Sequence, residues 1–250
     1  MRILLLIPAR MGSSRFPGKP LKKINGKPMI QHVYDNVKKS NLISNVAVAT
    51  CDNQILKFVK SFGGNAIMTS NRHKRASDRC AEALIKIEKK NKVKYDIVVM
   101  VQGDEPMVNK DMIKESLKPI IKKKSIKVVN LYSEIKDKKE FKDPNCIKVV
   151  CSKENYALYF SRRPIPYFKK SKFKLKKQVC IIPFRRNFLL EYIKMKPTPL
   201  EIAESVDMMR VLENGFKVYM AKTKYDSKAV DTPKDLKIVE MLLKKKTKNA

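Results

Sequence analysis

Short apolar runs alternate with longer amphipathic segments through the first half of the chain, and that rhythm admits few folds. The runs at 3–7, 46–49 and 97–101 consist of Ile, Leu, Val, Ala and Met without a polar interruption, the pattern of strands buried on both faces. Between and after them, 29–39, 55–62, 77–89 and 111–121 place apolar residues at helical spacing; in 77–89, Cys80, Ala81, Leu84, Ile85 and Ile87 fall on or near one face. Strand and helix in alternation predict βαβ units around a mostly parallel central sheet, an α/β fold of Rossmann-like order. The second half changes character. There 128–132, 147–151 and 179–184 read as strands separated by long loops, predicting a smaller antiparallel lobe at roughly 145–200 within a single domain of 1–250.

The first apolar run opens into Pro8-Ala9-Arg10-Met11-Gly12-Ser13-Ser14-Arg15-Phe16-Pro17-Gly18-Lys19-Pro20-Leu21, ahead of the first helical segment. A buried strand followed by glycines, small hydroxyl residues, two arginines and a lysine offers backbone N–H groups and fixed cations to a polyphosphate. Neither Gly-x-x-x-x-Gly-Lys-Ser/Thr nor Gly-x-Gly-x-x-Gly is present. Taken alone, the stretch also reads as a solvated basic turn.

A second loop, Gln102-Gly103-Asp104-Glu105-Pro106, follows the strand at 97–101, so its carboxylates emerge at the C-terminal edge of the sheet, where ligands bind in open α/β folds. Asp104 is the natural ligand for Mg²⁺ held against triphosphate oxygens, with water completing the shell. A plain charged turn is the alternative. Near the end of the chain, Thr232-Pro233-Lys234-Asp235 places a cap residue, a proline at the first helical position and a carboxylate in the first turn. A helix is expected there, with Asp231 immediately before it.

Composition narrows the class. With 43% hydrophobic residues the chain can bury a core, no apolar run reaches the ~18 residues of a membrane span, and no signal-peptide pattern is visible; a cytoplasmic protein is expected. The five cysteines are scattered, without Cys-x-x-Cys spacing, which points to reduced thiols rather than a disulfide framework or zinc site. The net charge of +32 raises a basic, non-enzymatic nucleic-acid-binding protein as one reading. Against it, the lysines form short dispersed runs without an aromatic-interleaved platform, so no specific nucleic-acid partner and no membrane insertion are expected. The two histidines, His32 and His73, have no Ser or Cys partner signalled and are expected to be structural.

Taken in order, Pro8 to Leu21, Asn25-Gly26-Lys27-Pro28-Met29-Ile30, Val101-Gln102-Gly103-Asp104-Glu105-Pro106-Met107, Tyr156-Ala157-Leu158-Tyr159-Phe160-Ser161-Arg162, Pro197-Thr198-Pro199-Leu200-Glu201 and Val230-Asp231-Thr232-Pro233-Lys234-Asp235-Leu236 resemble the 3-deoxy-manno-octulosonate cytidylyltransferase (CMP-Kdo synthetase) family. The resemblance spans positions 8 to 236. It implies a nucleotidyltransferase fold with an antiparallel dimerisation lobe, a homodimer, CTP as nucleotide, and Mg²⁺ held by Asp104 and Asp231. Arg10 and Lys19 would neutralise phosphate charge while an acceptor oxygen attacks the α-phosphorus and pyrophosphate leaves. With Asp104 and Asp231 they form the implied catalytic set. The nucleotide would be bound by Pro8, Ala9, Arg10, Gly12, Ser13, Lys19, Gln102 and Asp104, together with Ser77, Asp78 and Arg79, where the family usually reads Ser-Gly-Thr-Asp/Glu-Arg.

Departures fall on Arg75-Ala76, in place of a small pair, and on the acceptor site. Arg15, Gln102 and Arg162 are retained, and arginine suits a carboxylate bidentately. The family's His-x-Gly-x-Tyr segment is replaced by Gln178-Val179-Cys180-Ile181-Ile182, and its Glu-Gln pair by Asp207-Met208. Gln178 and Asp207 are the aligned acceptor residues. An acidic acceptor is expected: Kdo, a related 3-deoxy-2-ulosonic acid, or a different acid such as a phosphonate.

Overall fold

Every residue of the first strand, Ile3–Ala9, is buried, and it pairs with a parallel strand on each side. The computed structural model describes residues 1–13, 15–167 and 173–248, with side chains as far as 245 at the C-terminal end. Ser14 of the basic loop, residues 168–172 within the lysine-rich stretch 167–177, and residues 249–250 lie outside the described residues. In chain order the elements are β1 (Ile3–Ala9), β2 (Lys23–Ile24), β3 (Lys27–Pro28), α1 (Met29–Lys38), β4 (Asn45–Thr50), α2 (Asn53–Ser61), β5 (Ala66–Met68), α3 (Ala76–Asn91), β6 (Ile97–Val101) and α4 (Lys110–Lys122). They continue with β7 (Val129–Glu134), α5 (Lys138–Lys142), β8 (Lys148–Cys151), β9 (Ala157–Ser161), β10 (Lys176–Val179), β11 (Ile181–Arg185), α6 (Arg186–Tyr192), α7 (Pro199–Glu204), α8 (Asp207–Glu213), β12 (Tyr219–Lys222) and α9 (Pro233–Lys248).

The chain forms two compact units, Met1–Lys114 with Asp226–Ala250, and Glu115–Tyr225. In the first, β6, β1, β4 and β5 lie side by side and all pair in parallel, as a βαβ reading requires. Met29, Ile30, Val33, Tyr34 and Val37 of α1 are buried at the spacing that puts one helical stripe against a core. Burying each such side chain is worth about 1.5–3 kcal/mol. The C-terminal segment belongs to this unit: Val230 and Val239 share a buried cluster with Ile24, Met29 and Met107, and Glu240 Oε1 accepts from the Asn25 N–H at 2.9 Å.

The second unit extends further in both directions than 145–200. Its sheet runs β12-β7-β10-β8-β9. β10 is antiparallel to both β7 and β8, and β8 to β9, but β12 joins β7 in parallel, so the lobe is mixed rather than antiparallel throughout. The single strand expected at 179–184 is two strands interrupted at Cys180. Buried lysines explain why these strands are hard to read. Lys148 is fully buried and donates to the carbonyls of Asp143, Cys146 and Arg162 at 2.9, 2.7 and 2.5 Å, and burial pulls its pKa down. Its cross-strand partner Lys177 is buried against Glu140.

All five cysteines are free. Burial pushes the Cys146 thiol up to about 12, which makes it a poor nucleophile. Among the described residues no helix is long and apolar enough to cross a membrane.

Candidate active site

The basic loop after β1 is folded on itself. The Met11 carbonyl accepts from the N–H groups of Ser13 and Gly18 at 2.9 and 3.0 Å, and the Ser13 hydroxyl accepts from the Phe16 N–H at 3.3 Å. Gly18 takes φ 69°, a left-handed conformation that costs glycine little. It turns the chain into a single 3₁₀ turn, Lys19–Leu21. One cleft of about 230 Å³ results, lined by Pro8, Ala9, Arg10, Gly12, Ser13, Arg15, Lys19, Gln102 and Asp104. Nine of the residues expected at the nucleotide and acceptor sites are therefore brought to one place. Gly103 makes the approach possible, because a Cβ there would stand 3.0 Å from the Pro8 carbonyl oxygen.

Asp52, which sequence reasoning missed, also holds this loop. It follows β4, the neighbour of β1, and its Oδ2 accepts from the Met11 N–H at 2.8 Å. The signal was its place at the C-terminal end of a parallel strand beside the loop-bearing one.

Asp104 and Asp231 converge on one cation. Lys19 Nζ lies 2.6 Å from Asp104 Oδ2 and 3.3 Å from Asp231 Oδ1, and donates to the Val230 carbonyl at 3.0 Å. Arg15 reaches Asp231 Oδ1 at 2.8 Å. Asp231 is set by the cap of α9 as the local pattern predicts. Asp235 Oδ2 accepts from the N–H groups of Asp231 and Thr232 and from the Thr232 hydroxyl at 3.3, 3.0 and 2.7 Å, a reciprocal helix cap.

Burial, and then the charge of Asp104, raises the Asp231 pKa against the pull of Lys19 and Arg15. For Lys19, burial acts downward, but Asp104 and Asp231 outweigh it and the pKa is raised. The two carboxylates thus form an anionic recess whose charge Lys19 and Arg15 balance. Hard oxygen donors of this kind suit Mg²⁺, whose remaining positions are usually filled by water and substrate phosphates rather than by further side chains. No cluster of three or more His, Cys, Asp or Glu side chains placed to hold a metal occurs among the described residues.

Comparison with known proteins gives the family. The sequence model of the Cytidylyltransferase family matches residues 4–224. The chain is 45% identical over 255 residues to 3-deoxy-manno-octulosonate cytidylyltransferase of Geobacter metallireducens, covering 97% of this chain and 98% of that one. The same-named protein of Geotalea uraniireducens is 44% identical, over 98% of this chain and 100% of the other. Among solved structures, CMP:2-keto-3-deoxy-manno-octonic acid synthetase complexed with CTP superposes with a TM-score of 0.88 at 37% identity, covering 98% of this chain and 100% of that one. The chain belongs to the 3-deoxy-manno-octulosonate cytidylyltransferase family. It is a nucleotidyltransferase with the α/β fold of that family.

Not every residue expected from the family pattern lines the cleft. Ser77 and Arg79, at the start of α3, are turned into the first unit: Ser77 is fully buried, and Arg79 is 3% exposed with its guanidinium on Thr69 Oγ1 at 2.6 Å and the Ser70 carbonyl at 3.3 Å. Arg79 therefore braces the chain entering α3. Asp78, between them, is half-buried.

The other residues expected at the acceptor site, Arg162, Gln178 and Asp207, stand in the second unit. Arg162 donates from Nε to the Glu204 carbonyl at 2.6 Å, and from its terminal nitrogens to Pro144 at 2.9 Å and Ser205 at 3.4 Å. Its charge completes the C-terminal end of α7. Gln178 donates to Asn130 Oδ1 at 2.6 Å, and Asp207 occupies the first turn of α8. Both histidines are engaged structurally: His32 Nε2 pairs with the Ile24 carbonyl at 2.8 Å and His73 with Glu82.

Proposed function

We propose that this chain transfers the CMP group of CTP to Kdo or a related 3-deoxy-2-ulosonic acid and releases pyrophosphate, with Mg²⁺ as cofactor. The carrying observation is the convergence of Asp104 and Asp231 on Lys19 beside the basic cleft. Relatives named for CMP-Kdo synthesis at 45% and 44% identity over nearly the whole chain support the substrate pair, as does the CTP complex of the solved relative.

In this reading the acceptor oxygen attacks the α-phosphorus, and the bond from that phosphorus to the bridging oxygen of pyrophosphate breaks. Mg²⁺ bound by Asp104 and Asp231 would polarise the α-phosphate and balance its charge. Arg10 and Lys19 neutralise phosphate oxygens as charge shifts to the leaving group. Lys19 is preorganised for this because both carboxylates and a backbone carbonyl hold its ammonium. Arg15, tethered to Asp231, is the cation nearest that carboxylate for an acceptor's own carboxylate. Pro8, Ala9, Gly12, Ser13 and Gln102 shape the nucleotide side of the cleft. Ser77, Asp78 and Arg79 would act on the nucleotide through the placement of the α3 start.

A different acidic acceptor is the second reading. It is favoured by Gln178, which replaces a family histidine and commits its amide to Asn130. A homodimer in the cytoplasm completes the proposal; Leu158, 62% exposed on the edge strand β9, is apolar surface that an interface would cover.

The test is a pyrophosphate-release screen that crosses the four nucleoside triphosphates with 2-keto sugar acids and phosphonates, with and without Mg²⁺. CTP with a 3-deoxy-2-ulosonic acid should give the highest kcat/KM. Release only with a phosphonate would select the second reading, and release with no pair from folded protein would overturn both.

A further inference from the structure

Asp231 meets Asp104 from the far end of the chain, and something must hold the two loops in register. Ser227 and Glu105 lie beside them and are both buried, at 5% and 3% exposure. The Ser227 hydroxyl donates to Glu105 Oε2 at 2.6 Å across 122 positions of sequence. Three residues after Ser227 and one before Glu105, the Val230 N–H donates to the Asp104 carbonyl at 2.9 Å. Glu105 is also pinned within its own loop, its N–H donating to the Gln102 carbonyl at 3.1 Å.

We propose that the Ser227–Glu105 hydrogen bond is a positioning device that sets the spacing of the Asp104 and Asp231 carboxylates, and through it the affinity of the site for a divalent cation. This deepens, and rests on, the reading of those two carboxylates as the Mg²⁺ ligands. The physical argument is one of cost. A buried carboxylate that loses a charge-assisted donor is strongly penalised, so segment 226–231 cannot slide along the 102–106 loop without breaking that contact. Glu105 adjoins Asp104 in the chain, and Ser227 precedes Asp231 by one helical turn's worth of sequence, so a shift at the clamp is passed to the carboxylates with little slack. Neither residue lines the cleft, which separates their role from that of Lys19 or Asp104.

The experiment compares Ser227→Ala, Ser227→Thr and Asp231→Asn in the full chain. Mn²⁺ binding in the presence of CTP is read by electron paramagnetic resonance, half-saturating Mg²⁺ by turnover, and the melting temperature without ligand. Removing a residue that orients a metal ligand typically weakens metal affinity on the order of 10-fold or more. Ser227→Ala should do so for Mn²⁺ and raise half-saturating Mg²⁺ more than it lowers kcat, while Ser227→Thr, which keeps the hydroxyl, should bind Mn²⁺ like the unsubstituted protein. Unchanged Mn²⁺ affinity in Ser227→Ala, even with a lowered melting temperature, would overturn the clamp, as would equal weakening by Thr and Ala. If Asp231→Asn itself binds Mn²⁺ normally, the metal-site reading fails instead.

Discussion

The ammonium of Lys19 lies 2.6 Å from the carboxylate of Asp104, a residue 85 positions later in the chain. Lys19→Ala removes the cation shared by Asp104 and Asp231 and leaves Arg15 paired with Asp231. Turnover should fall by about 10²-fold or more, the usual loss for a transition-state charge contact. Because the recess becomes more anionic, added Mg²⁺ should raise the melting temperature of the variant more than that of the unsubstituted protein. Calorimetry with and without Mg²⁺, beside initial rates, checks both. An unfolded variant with unchanged activity per folded molecule would remove Lys19 from the cleft chemistry.

Gly103→Ala should separate the two loops. Its new methyl would meet the Pro8 carbonyl oxygen at 3.0 Å and Ile30 Cδ1 at 3.4 Å, and overpacking of this kind costs about 1–3 kcal/mol. Asp104 follows directly, so kcat should drop further than stability explains. Urea unfolding paired with kcat measurement tests this; wild-type kcat would show that the close approach is unimportant.

Arg210→Met should be among the most destabilising single changes in the second unit. Arg210 and Glu201 form a buried two-pronged pair at 2.7 and 2.6 Å, with Glu201 fully buried. Removing one partner strands the other charge, at a cost of about 3–5 kcal/mol. The double variant Glu201→Leu with Arg210→Met should recover much of the loss. Urea midpoints of the single and double variants decide the matter, and equal stability of the two would refute a stranded-charge penalty.

Glu82 ties the 69–75 loop to α3. Burial works against its ionised form, but Lys86, the Ser70 N–H and His73 outweigh it and bring its pKa down from 4.5 to about 2. A carboxyl with a depressed folded pKa contributes stability above its unfolded pKa and loses it as pH falls through the folded value. The stability difference between the unsubstituted protein and Glu82→Gln should therefore be full at neutral pH and shrink as pH falls from 4.5 towards about 2. Thermal melts across acid pH measure it. A difference that does not change over that range would contradict the assignment.

Local pattern was enough for β1, β4 and β6, uninterrupted apolar runs buried along their length, and for the helices between them, whose periodicity states which side is buried. It was also enough for the cap that places Asp231, since Thr232, Pro233 and Asp235 act within one turn. The lobe resisted the same reading. Lys148 and Lys177 are polar letters buried in strands, made tolerable by carbonyls and by Glu140, which other segments supply. Arg79 and Arg162 match a family pattern, yet each donates to neighbouring chain in the structure, a choice that depends on which carbonyls and hydroxyls folding brings within reach.

The meeting of Asp231 with Lys19, 212 positions apart, and of Ser227 with Glu105 follows from long-range packing of the C-terminal segment on the first unit. Periodicity and capping act over a few residues and fix elements and loop chemistry. Contacts between distant loops are selected by the burial of Val230 and Val239 against Ile24, Met29 and Met107, a free energy that exists only once the chain has closed on itself.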